Sequence, residues 1–130
     1  MLKFIADTQA IEIFLNGQTV INKNIDKIFC DTDQGKNIII NPSMVIAEIG
    51  YPNEKGRIPI SIEFKETILN SSIIYVEEPL SIDIIKTSFE ITDIPELYDK
   101  LIAGTARYLQ IPILTNDPLI FKNKFVDTFS

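Results

Sequence analysis

Short isoleucine-rich runs, each followed by a stretch of helical periodicity, constrain the fold of this chain more than any other feature. Leu2–Ala6, Asn37–Ile40, Ile73–Val76 and Ile111–Leu114 are apolar runs of strand length. Runs of this kind suit strands buried on both faces. After the first, Thr8 is the expected N-cap of a helix with Ala10, Ile11, Phe14 and Leu15 on one face, ended by Asn16–Gly17. Residues 21–33 give a second helix, with Ile21, Ile25, Ile28 and Phe29 inward, and a turn follows over 33–36. Pro42 is expected in the first turn of a helix carrying Met44, Val45, Ala47, Glu48 and Ile49, and residues 61–69 form another. Ser81 caps a helix reaching Phe89, with Ile82, Ile85 and Phe89 inward. A long helix over 96–109 carries a stripe of Leu97, Leu101, Ile102, Thr105 and Leu109, and a short helical piece near 118–122 precedes a strand at Phe125–Asp127. The alternation predicts an α/β fold, a three-layer α/β/α sandwich with a mostly parallel sheet of about five strands. Sheets of this kind place their working residues at the carboxyl ends of the strands. Residues 1–130 show no repeat, linker or low-complexity stretch and read as a single domain.

Charge narrows the function. With 12 basic residues against 18 acidic ones and a net charge of -6, the chain lacks the bulk positive potential of a protein that grips nucleic acid electrostatically. It stays compatible with a protein whose acids hold cations that then meet phosphates. Cys30 is the sole cysteine, so no internal disulfide forms; it lies in an apolar helical pattern and is expected in the core. No apolar run approaches the roughly 20 residues that span a bilayer, and Asp7 interrupts the N-terminal run too early for a secretion signal. The expected location is the cytoplasm, away from any membrane.

The chain contains no histidine, which excludes Ser-His-Asp and Cys-His nucleophiles and His-ligated zinc or iron. Its five glycines build no phosphate-binding loop. Carboxylates remain. Asp7 directly follows the first strand, Asp117 follows the fourth through Thr115–Asn116, Glu48 sits on the helix after the second strand, and Asp99 lies in the first turn of the long helix. If the first and fourth strands are neighbours, all four acids converge on one edge of the sheet. Carboxylates so placed repel one another unless a cation offsets them, and an all-oxygen set favours Mg²⁺ or Mn²⁺.

Each acid also has a plain structural role open to it. Asp7 and Asp117 can be helix caps, Glu48 a solvated helix residue, and Asp99 a partner of the helix dipole. Glu96 suits capping, Glu77–Glu78 a solvated strand end. Lys100 and Arg107 can contact substrate phosphates or merely balance the helix surface, and the same holds for Lys55 and Arg57. The joint placement of four acids is what favours a shared centre.

The segments bearing these acids resemble the motifs of PIN domains. Phe4-Ile5-Ala6-Asp7-Thr8-Gln9-Ala10 resembles the opening motif, and Val45-Ile46-Ala47-Glu48-Ile49 with Glu54-Lys55-Gly56-Arg57-Ile58 the second. Pro95-Glu96-Leu97-Tyr98-Asp99-Lys100-Leu101-Ile102-Ala103-Gly104-Thr105-Ala106 resembles the third and Ile111-Pro112-Ile113-Leu114-Thr115-Asn116-Asp117 the fourth. The likeness runs over nearly the whole chain. It departs at Gln9, at Lys100 where arginine is common, and at Gly104 where alanine is usual, a mid-helix glycine costing about 1 kcal/mol.

This resemblance implies a PIN-like sandwich and a Mg²⁺- or Mn²⁺-dependent endoribonuclease of the VapC-like kind found as the toxin of VapBC-type toxin–antitoxin pairs. Asp7, Glu48, Asp99 and Asp117 would then be the catalytic, metal-binding acids, with Thr115 supporting them through its hydroxyl. It further implies an RNA substrate, a homodimer, and an antitoxin protein lying across the site. Two other classes stand beside it. One is a PIN-like RNA- or protein-binding module without turnover. The other, a phospho-acceptor receiver domain, needs an aspartate at the end of its third strand, where this chain has Glu77-Glu78-Pro79.

Overall fold

The computed structural model describes residues 1–15, 23–50, 66, 70 and 72–129. The elements run β1 (Leu2–Ala6), α1 (Thr8–Leu15), α2 (Lys23–Asp33), β2 (Asn37–Pro42), α3 (Ser43–Gly50), β3 (Tyr75–Glu78), α4 (Ile82–Ser88), α5 (Leu97–Leu109), β4 (Ile113–Leu114), α6 (Pro118–Phe121) and β5 (Thr128–Phe129). The five strands form one sheet in the order β3-β2-β1-β4-β5, and every neighbouring pair is parallel. The architecture is the expected α/β sandwich of PIN-like type.

The strand order decides where a site can form. The crossovers from β1 to β2 to β3 step one way along the sheet, and those from β3 to β4 to β5 step the other way. With right-handed crossovers, α1, α2 and α3 then cover one face and α4 and α5 the other. The direction reverses between β1 and β4, whose following loops leave toward opposite faces, the place at the carboxyl edge where such sheets commonly bind ligands. Ile5 pairs in register with Ile40 on one side and with Ile113 on the other, and all belong to the isoleucine-rich layer beneath that edge. Ile5, Ala6, Ile39, Ile113 and Leu114 are wholly buried.

Several boundaries depart from the sequence reading for local reasons. Pro42 pairs with Glu78 as the last residue of β2, and α3 starts only at Ser43. Ile73 is 88% exposed because Ser72 makes a turn there, its hydroxyl accepting the Tyr75 N–H at 3.1 Å, so β3 begins two residues later than expected. The last strand is Thr128–Phe129, pairing with Ile113 and Leu114, instead of Phe125–Asp127. Asn123 Oδ1 accepts the N–H groups of Phe125 and Val126 and holds those residues in a turn. Cys30, expected inside, is exposed. The helix expected over 61–69 lies almost entirely outside the described residues, as do Lys55 and Arg57.

The helix pair α4–α5 also packs otherwise than its apolar pattern suggests. Ser81 caps α4 as expected, but Ile82 and Phe89 face outward, while Ile84 and Ser88 are buried. The reason lies in Gly104. A Cβ there would run into the Ser88 hydroxyl and stand 2.7 Å from Ser88 Cα. The glycine that is unfavourable for an isolated helix thus permits the closest approach between α4 and α5, and that seam selects which face of α4 turns inward. Gly104→Ala should lower stability by about 1–3 kcal/mol through overpacking despite its better helix propensity. Urea unfolding of the variant would show it; an unchanged or raised midpoint would contradict the seam.

Candidate functional site at the carboxyl edge

Asp7 is the centre of this edge. Its backbone N–H still reaches Leu114 O at 3.3 Å, so the residue leaves β1 while tied to β4. Its Oδ1 accepts the Ala10 N–H at 2.7 Å, which makes Asp7, and not Thr8, the N-cap of α1. Its Oδ2 accepts from the Thr115 hydroxyl at 2.5 Å. Thr115, wholly buried just after β4, also accepts the Asp117 N–H at 3.0 Å. One hydroxyl therefore fixes the Asp7 carboxylate and shapes the turn carrying Asp117. Asp117 in turn caps α6 by accepting the Leu119 N–H at 2.9 Å.

The other two acids come from helices. Asp99 is half-buried in the first turn of α5, and its N–H donates to Glu96 at 2.8 Å, so Glu96 is the cap it was expected to be. Glu48 is half-buried on α3 and accepts from the Thr8 hydroxyl at 3.2 Å. Asp99 and Asp117 act electrostatically on Asp7. Burial pushes the Asp7 carboxyl up to about 7; its bonds from Thr115 and Ala10 oppose that rise, and the charges of Asp99 and Asp117 add to it. Asp7 is only 3% exposed, which makes desolvation the dominant cause.

Lys100 is half-buried beside Asp99. Arg107 is not brought to the edge: two turns further along α5, it donates to Glu90 Oε1 and to Phe125 O, both at 3.1 Å, and lies over the Phe125 ring. Two polar residues at the edge escaped the sequence reading. Thr8 was expected to cap α1; its bond to Glu48 has no sequence signature, because 40 residues separate the pair. Asn41, wholly buried near the end of β2, keeps both side-chain polar atoms without a hydrogen-bond partner among the described residues.

Among the described residues, no three acidic side chains are already gathered as a metal-ligand group. That does not conflict with Mg²⁺, which commonly takes one or two carboxylates and completes its shell with water. The donor set fits such a hard cation: a desolvated carboxylate under the field of two more, each oxygen engaged by one hydrogen bond and retaining a further lone pair.

With this geometry defined, the fold has known counterparts. VapBC2 from Rickettsia felis, bound to a DNA fragment from its promoter, is similar over 98% of this chain and 98% of that chain, at 15% identity and a TM-score of 0.66. DNA-bound VapBC from Salmonella typhimurium matches over 99% and 98%, with 18% identity and a TM-score of 0.64. FitAcB from Neisseria gonorrhoeae matches over 98% and 96%, with 16% identity and a TM-score of 0.63. No family model matches the chain, and no curated protein does. These findings correct the sequence resemblance as an assignment to the PIN family and its VapC-like toxins. The similar structures are two-component complexes, and a likeness at this identity extends to the fold without saying which component the chain corresponds to. Among the described residues no helix is long and apolar enough to cross a membrane.

The raised Asp7 value has a definite sign. The folded state holds the Asp7 proton up to about pH 7, whereas the unfolded chain releases it near 3.8. The contribution of Asp7 is fully present below the lower value and is lost as pH rises through the upper one, by roughly 4 kcal/mol at most. Denaturant unfolding in EDTA should therefore show Asp7→Asn gaining on the parent protein between pH 5 and pH 8. Parallel pH profiles for the two would mean that the carboxylate is not desolvated as described.

Proposed function

We propose that the chain is a metal-dependent endoribonuclease that hydrolyses RNA phosphodiester bonds, acting as one component of a VapBC-type two-component system. The carrying observation is Asp7, a nearly inaccessible carboxylate whose charged form is opposed by burial and by Asp99 and Asp117. A bound cation is the natural compensation for such an arrangement. Asp7, Glu48, Asp99 and Asp117 would hold Mg²⁺ or Mn²⁺, and Thr115 would keep Asp7 in place. When bound, such an ion lowers the pKa of a water and neutralises charge on the phosphodiester. The chain supplies orientation: Thr115 fixes Asp7, the Asp7 and Asp117 caps fix the starts of α1 and α6, and Glu96 fixes the first turn of α5. Lys100, next to Asp99, is the cation nearest in sequence to the centre and is assigned a phosphate contact.

The fold likeness to VapBC complexes supports a protein partner. Exposed Leu97, Tyr98, Leu119 and Phe121 flank Asp99 and Asp117 along the chain, apolar side chains that a partner would cover. A homodimer belongs to the same proposal. The second reading, a binding module without turnover, is favoured by the caps: Asp7 and Asp117 both have complete structural roles.

Cleavage of mixed RNA and DNA substrates with Mn²⁺, Mg²⁺ or EDTA, beside Asp99→Asn, separates the two. The nuclease reading expects metal-dependent RNA cutting that falls by about 100-fold or more in the variant, in line with the loss of a principal electrostatic contact. A folded protein that binds RNA but cuts under none of these conditions would leave the module.

A further inference from the structure

A threonine beginning a helix ordinarily spends its hydroxyl on capping. In this chain Asp7 does the capping, through the Ala10 N–H. The Thr8 hydroxyl is thereby released and donates to Glu48 Oε1 at 3.2 Å. Thr8 itself is 5% exposed, and its branched side chain has few rotamers. Glu48, by contrast, has three side-chain torsions, and left to itself its half-buried carboxylate would sample several orientations. A rigid, buried donor on α1 opposes that. It also parallels Thr115 and Asp7: each of two carboxylates from different elements takes a hydroxyl bond from a buried threonine on another element.

We propose that Thr8 is a positioning residue, which orients the Glu48 carboxylate for a divalent cation at the carboxyl edge. This rests on the metal-dependent reading above. Thr8 engages Oε1, and a hydroxyl bond to that one oxygen fixes how the carboxylate is turned. Bonds of this outer kind typically change metal affinity by about 10- to 100-fold when removed.

The test measures Mn²⁺ binding to the full chain by electron paramagnetic resonance of the free ion, together with thermal unfolding in EDTA. Thr8→Val keeps the branched shape without the donor, and Thr8→Ser keeps the donor. Thr8→Ser should bind Mn²⁺ as the parent does, while Thr8→Val binds about 10-fold or more weakly. In a Glu48→Gln background, Thr8→Val should have no further effect on Mn²⁺ affinity. RNA cleavage by Thr8→Val should need more Mn²⁺ and approach the parent rate at saturation. Undiminished Mn²⁺ binding by Thr8→Val overturns the role of Thr8 alone, as does an equal loss in a folded Thr8→Ser. If Thr8→Val fails to fold, Thr8→Ala removes the same donor with a smaller side chain, and its Mn²⁺ affinity set against Thr8→Ser decides it in the same way. A parent protein that binds no Mn²⁺ overturns the metal reading itself, and the Thr8 proposal with it.

Discussion

The carboxylate of Asp7 is placed where an anion is poorly tolerated, and much of the molecule's organisation at the carboxyl edge answers to that. It leaves β1 next to β4, accepts one bond from the α1 backbone and one from Thr115, and faces the charges of Asp99 and Asp117. Two hydrogen bonds do not offset its desolvation, so its proton is retained far above the ordinary carboxylate range. An ordinary core would put an apolar residue there. Retaining an acid there departs from what stability alone favours, and proteins commonly give up stability at working sites in this way.

The sheet order makes this arrangement possible. Reversal of the crossovers between β1 and β4 sends the two following loops toward opposite faces, and Asp7 and the Thr115–Asp117 turn lie at that point, directly after the two strands. The helices then contribute at a distance. α3 and α5 approach with their acids half-buried, and the Gly104–Ser88 seam sets how closely α5 lies against α4.

How much of this could be read beforehand follows from the range of each interaction. The strands and most helices announce themselves through local periodicity; of the four acids picked out by their place after each element, Asp99 and Asp117 act electrostatically on Asp7, while Glu48 is held by Thr8. Ile73, Pro42 and Phe125 misled because side chains from Ser72 and Asn123, or one more strand pair with Glu78, shifted element ends by two or three residues. The inward face of α4 was misread because apolar counting cannot foresee that Gly104 would admit Ser88. Thr8 was misassigned for a sharper reason: two neighbouring residues both suit a helix cap, and only the fold reveals that Asp7 takes it. The wider family assignment failed differently, since motif likeness and a shared fold do not identify which component of a complex a chain is.

The bond between Thr115 and Asp7 spans 108 residues of chain. During synthesis β1, α1 and α2 can leave the ribosome and begin to order long before β4 exists, and ribosomes add only about 5–20 residues each second. Until β4 docks, the turn bearing Asp117 has no scaffold, and Asp7 stays in water instead of being sealed into the edge. Any chemistry that depends on this edge is therefore withheld from the nascent chain for several seconds.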